Sequence, residues 1–233
     1  MEPLRPNDRR AKNAISMVWA VLAVSIITTL FSIVDEIYIN VVDYSTLDSS
    51  LINVFYLVLG GSGILYTAIY IGSAVTFIMW FRRAYYNLHQ LRGNLSYGEG
   101  WAAGGWFVPI MNLFVPYRIM KELYVVTNNI FSQDLQTCTI RLKTDYLGWW
   151  WALWIITGIL SQISLRAALS GDVYGISFGF EIIATLLSIP LTVLTVMIIK
   201  DYANIESVLA EVAESEIYNI SEENQPMTES ENL

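Results

Sequence analysis

The chain predicts an all-α integral membrane fold: four transmembrane helices plus a re-entrant or interfacial segment broken by prolines. Three observations lead there. Of the 233 residues 55% are hydrophobic and 15% charged, against about 25% charged in an ordinary soluble domain. The apolar residues gather into runs long enough to span a bilayer, which takes about 20 residues per helix. Of the 13 lysines and arginines, only Arg166 falls on the predicted outer side, as the positive-inside bias demands. One compact membrane domain accounts for the whole length.

Residues 1–13 carry Arg5, Arg9, Arg10 and Lys12 and read as a basic cytoplasmic N-terminus. The apolar run behind them exceeds the roughly 7–15 residues of a signal-peptide core and lacks an A-x-A cleavage site, so it reads as a retained first crossing at about 14–34. At 1.5 Å per residue it covers about 31 Å, close to the hydrocarbon thickness. Residues 35–50 contain Asp35, Glu36, Asp43 and Asp48 with no basic residue, the pattern of an outer loop. The next apolar stretch, 51–81, is too long for one untilted crossing; GGSG at 60–63 predicts a break that leaves 64–81 as the second crossing. Arg82 and Arg83 mark its cytoplasmic boundary.

Residues 101–117, WAAGGWFVPIMNLFVPY, carry no charge and lie between basic residues. A fully helical segment of that length reaches about 25 Å. Pro109 and Pro116 each remove a backbone donor, and crossing would export Arg118, Lys121, Arg141 and Lys143. The segment is therefore expected to dip into the membrane or lie on it, entering and leaving on the cytoplasmic side. A fifth crossing is the rival topology, and it would place the C-terminal tail outside.

Downstream, Ile119, Met120, Leu123, Val126 and Ile130 recur at helical spacing against Arg118, Lys121, Glu122 and Asn129. This predicts an amphipathic helix over 118–131 at the cytoplasmic interface. The third crossing, 149–164, opens with Trp149, Trp150, Trp151 and Trp154, interfacial anchors by type. Residues 165–177 read as the second outer loop. The last crossing, 178–199, holds Glu181 and Pro190 and ends at Lys200. The remainder, 201–233, is an acidic cytoplasmic tail in which 205–217 reads as a short partner-docking helix and 222–233 as disordered.

Cys138 and His89 are the only residues of their types, which excludes an intrachain disulfide and a zinc, haem or iron–sulfur ligand set; no cofactor is expected. No nucleophile elbow, HExxH, P-loop or dinucleotide fingerprint occurs, so the reading is non-enzymatic. The net charge of −8 sits mostly in the tail, which argues against a nucleic-acid partner.

The runs WFRRAYYNL (80–88), WAAGGWFVPIMNLFVPYRIMKEL (101–123) and WWWALW (149–154) resemble the bacterial membrane family called domain of unknown function 4328. The resemblance extends over about 64–200. It implies a multi-pass protein of the bacterial cytoplasmic (inner) membrane and carries no activity with it.

Three sets of residues are candidates for function, each with a plainer structural alternative. Pro109, Asn112 and Pro116 could free backbone carbonyls to bind a cation or polar solute, as broken helices do in transporters; alternatively they shape a kink, with Asn112 bonding the freed carbonyls, and this leads because shape alone accounts for the prolines. Arg82, Arg83, Arg118, Lys121 and Glu122 could bind lipid headgroups. Topological anchoring, with an arginine–Glu122 clamp, is their structural role. Glu181 could mark an ion path, or it is a paired acid, with Arg166 as the partner. Two functions follow: a structural or regulatory component of a membrane assembly, or a small oligomeric channel or transporter for a cation or polar solute around Asn112, oligomeric because four helices enclose little volume. The partners expected are the bilayer and another membrane protein or a second copy of the chain.

Overall fold

A computed structural model describes residues 4–41, 49–133, 141–170 and 174–223, with side chains placed in 4–37, 49–132, 141–170 and 176–210. Among these residues every regular element is helical: α1 (Asp8–Val41), α2 (Ser49–Leu91), α3 (Trp101–Gly104), a 3-10 turn (Met111–Leu113), α4 (Val115–Gln133), α5 (Asp145–Ser170) and α6 (Tyr174–Glu223). Four of them, α1, α2, α5 and α6, are long and apolar enough to cross a membrane. Helix α5 packs on α6, α6 on α1 and α1 on α2.

The long helices exceed the expected crossings. Helix α2 runs unbroken through Gly60, Gly61 and Gly63, where a break was predicted. Glycine lowers helix propensity by only about 1 kcal/mol, less than the cost of unpaired backbone groups in apolar surroundings. Helix α6 likewise continues through Pro190. Asp35 and Glu36 belong to α1 and Arg166 to α5, rather than to loops. Helix α6 also takes in Glu222 and Glu223, which were read as disordered tail. Asp43, Asp48, Cys138 and residues 224–233 lie outside the described residues.

The core sits at one end of the bundle, at the level of Arg82 and Arg83. Trp80, Phe81, Tyr85 and Leu88 of α2 meet Ile119, Leu123 and Tyr124 of α4, Trp150 of α5, and Ile198 and Tyr202 of α6, all at most 1% exposed. Each such side chain contributes about 1.5–3 kcal/mol by leaving water. Two side chains of this cluster bond to backbone of other elements: the Tyr124 hydroxyl donates to the Ile198 carbonyl at 3.1 Å, and Trp151 Nε1 to the Leu113 carbonyl at 3.0 Å, whereas Trp80 Nε1 is buried without an acceptor among the described residues. Toward the other end, large apolar residues such as Leu57, Ile64, Leu169 and Leu186 are exposed, as side chains that face lipid would be.

Two expectations change here. The apolar face of α4, predicted to rest on lipid, is buried against α2 and α5, with Tyr124 reaching α6, because Ile119, Met120 and Leu123 find protein partners at that end. The stretch read as a partner-docking helix is the continuation of α6, and its Ile205 and Leu209 are buried in the chain's own core. Burial of apolar area decides both cases, and hydrophobic spacing does not specify which surface will supply it.

Candidate functional site

Residues 101–117 form no membrane-length helix. Short turns connect α3 to the 3-10 turn and then to α4, held by bonds such as Asn112 N–H to the Val108 carbonyl at 2.8 Å. Trp106 anchors this segment to the core end, with its ring 5.6 Å from Phe77 and 5.5 Å from Trp154. Phe107, Ile110, Met111 and Phe114 point outward. Pro116 lies in the first turn of α4, where its missing N–H costs no helical bond, and Pro109 is exposed in the turn before the 3-10 element. Asn112 Oδ1 is buried without a donor, and the residue does not reach the cavity described below.

The expected arginine–Glu122 clamp has different members. Glu122 accepts hydrogen bonds from the Tyr85 hydroxyl at 2.7 Å and from the Ser96 N–H at 2.7 Å, which ties α4 to α2 and to the loop after it. Burial, then the bond to Glu122, raises the Tyr85 pKa well above the ordinary tyrosine range. Arg82 pairs instead with Glu99 at 3.6 Å in solvent, a contact of little energy. Arg83 faces the Tyr86 ring at 5.9 Å, Arg118 donates to the Tyr97 hydroxyl at 3.3 Å, and Lys121 is exposed. Tyrosine displaces arginine at Glu122 because a neutral donor enters a half-buried site with less desolvation.

Glu181 lies where its chemistry is available. A cavity of about 830 Å³ opens among α1, α2, α5 and α6, a volume within the roughly 300–1,000 Å³ of ordinary ligand sites. Its wall carries serine and threonine hydroxyls from all four helices, among them Ser25, Thr67, Ser161 and Thr192, and its floor is Trp106, Trp150 and Trp154. Among the described residues Glu181 is the single charged one in that wall. Its Oε1 accepts from Ser32 at 3.1 Å and Thr29 at 3.3 Å, and Thr29 meets Thr185 at 2.8 Å. Arg166, the partner expected from sequence, is absent from the wall; hydroxyls serve in its place because the helix geometry brings Thr29 and Ser32 of α1 to α6. Four helices of a single chain line this volume, which stays open on one side.

A family model described as a domain of unknown function, DUF4328, matches residues 43–204. The chain belongs to the DUF4328 family. Neither the curated proteins nor the solved structures held a match. The DUF4328 match includes most of the cavity wall, Glu181 among it, and leaves α1 and the end of α6 outside.

Those two outer parts of this DUF4328 protein meet at a residue that sequence reasoning missed. Glu206, counted with the solvated acids of the tail, is 7% exposed. Its Oε2 accepts from Asn7 Nδ2 at 2.9 Å and its Oε1 from Asn87 Nδ2 at 2.6 Å. Asn87 also accepts the Arg5 N–H at 3.1 Å, and Asn7 Nδ2 reaches the Trp80 carbonyl at 3.3 Å. Burial raises the Glu206 pKa to about 7, against the lowering effect of the two asparagines. The available signal was its register: Glu206 falls between Ile205 and Leu209 on the apolar stripe of α6.

Proposed function

We propose that the chain is a non-enzymatic protein of the bacterial cytoplasmic membrane, with both termini cytoplasmic, that admits a small cation or polar solute among its four crossings. The observation that supports this is the cavity of about 830 Å³ with hydroxyls and one carboxylate in its wall. Ionisable groups at membrane depth are costly and mark solute or ion paths, and the hydroxyls and carboxylate set in this mostly apolar wall give water or a ligand hydrogen-bond partners that a wholly apolar cavity lacks. The site is centred on Glu181 rather than on Asn112.

A second reading, a structural or regulatory component of a membrane assembly, draws on the outward row Phe107, Ile110, Met111 and Phe114. That row equally suits a segment dipping to the headgroup boundary beside Arg82, Arg83, Arg118 and Lys121, whose charges would attract anionic lipid.

Cysteine labelling separates the two. With Cys138 replaced by serine, single cysteines at Ser25 and Ser161 on the cavity wall, and at Leu57 and Leu186 on the outer surface, are treated in membranes with a water-soluble maleimide. The wall positions are expected to react and the outer ones to stay protected. Protection at both wall positions would sink the solute reading and leave the structural one.

A further inference from the structure

We propose that Glu181 and its hydroxyl neighbours form the binding site of a small organic cation, a substituted ammonium group, an assignment that rests on reading the cavity as a solute site. Charge sets the sign. Among the described residues the wall holds one carboxylate and no lysine, arginine or histidine, so the charged occupant it favours is a cation. The two hydroxyl bonds to the carboxylate both fall on Oε1. Oε2 takes neither of them.

Coordination chemistry sets the class. Calcium asks for six to eight oxygens at about 2.3–2.6 Å and magnesium for a near-ideal octahedron at about 2.0–2.1 Å. Among the described residues no group of three acidic, histidine or cysteine side chains gathers anywhere. A cavity of about 830 Å³ is also far too wide to close such a shell around a bare ion. A substituted ammonium has the opposite needs: it spreads its charge over carbon, tolerates a loose fit and gains from aromatic faces. Tyr66 and Tyr70 stand one turn apart on α2 with ring centres 6.1 Å apart. Both line the cavity. The tryptophan floor extends the aromatic surface, and Thr29, Ser32 and Thr185 remain to bond a hydroxyl or N–H carried by the ligand.

The test compares choline with 3,3-dimethyl-1-butanol, its neutral carbon isostere, on the full chain in lipid nanodiscs. Ionic strength is held with potassium chloride, and binding is followed by the fluorescence of the floor tryptophans. Choline is expected to saturate, with the isostere at least about tenfold weaker and with choline weakened at least about tenfold in Glu181→Gln, a loss on the scale of one charge-assisted contact. The isostere should bind the variant as it binds the native chain. Equal binding of the two probes, no saturation by choline, or unchanged choline affinity in the variant would overturn the assignment. The comparison on the native chain needs no variant, so a misfolded Glu181→Gln leaves the test decisive. Where the maleimide reaches Ser25 and Ser161 but choline does not bind, the cation assignment falls and the solute reading stands; where the maleimide fails as well, both fall.

Discussion

At the scale of single residues, the acid with the clearest energetic role is Glu206, which joins the N-terminus, α2 and α6 at one point. The groups that act on it are the two asparagine donors, Asp8 and Arg83, and burial outweighs them all. Because its folded pKa, about 7, stands above the ordinary 4.5, folding takes up a proton. Its contribution to stability is fully present below pH 4.5 and is lost as pH rises through 7. The melting midpoint should therefore fall between pH 5 and pH 8, and Glu206→Gln, which keeps an acceptor without the charge, should flatten that slope; an unchanged slope in the variant would refute the assignment. The Tyr85–Glu122 bond makes a separate prediction. Tyr85→Phe leaves a half-buried carboxylate short of one donor and should lower unfolding stability by about 1–3 kcal/mol, with Glu122→Gln recovering part of the loss in the double variant. None of these long-range pairings is legible locally. Asn7 and Glu206 lie at opposite ends of the chain, and no periodicity or spacing links an asparagine before the first helix to an acid in the tail.

At the scale of elements, the turn region 101–117 depends on a close approach at Gly105. A Cβ there would stand 2.8 Å from Val115 Cγ1 and 2.9 Å from the Trp101 carbonyl oxygen. Backbone cannot yield as a flexible side chain would, so Gly105→Ala should separate α3 from the start of α4 and cost about 1–3 kcal/mol, the range for overpacking. Gly104→Ala meets nothing within 4 Å and serves as the neutral control. A calorimetric or fluorescence melt of the two variants side by side decides the point; equal midpoints would contradict it. This region marks the limit of what composition reveals. Runs of apolar residues of membrane length made α1, α2, α5 and α6 visible, because length and hydropathy are local properties. The stripe on α4 indicated that one face is buried. It did not identify α2 and α5 as the cover, since lipid and protein reward the same residues. Glu181 was visible as an acid in an apolar run, whereas the hydroxyls that receive it come from α1 and are dispersed in sequence among ordinary helix residues.

At the scale of the whole molecule, packing is divided between a dense end and an open end, and this division bears on topology independently of charge. Tyr97, just before the 101–117 segment, receives the Arg118 side chain from just after it, at 3.3 Å. Arg5 is bonded through its backbone to Asn87, and Asn87 to Glu206 beyond the last long apolar run. The N-terminus, both flanks of the segment and the start of the tail thus share the end of the bundle that holds Arg82 and Arg83. A fifth crossing would have to separate Tyr97 from Arg118 by the thickness of a bilayer, about 30 Å, and would break both that bond and the one from Asn87 to Glu206. The basic residues gathered there predict, by the positive-inside bias, that this end faces the cytoplasm. Reporter fusions after residues 98, 118 and 205 are therefore expected to be cytoplasmic together. A reporter that is cytoplasmic at 98 but external at 118 and 205 would contradict the bonded geometry as well as the charge argument. All three external together would leave the bonded geometry intact and contradict the orientation that the basic residues predict.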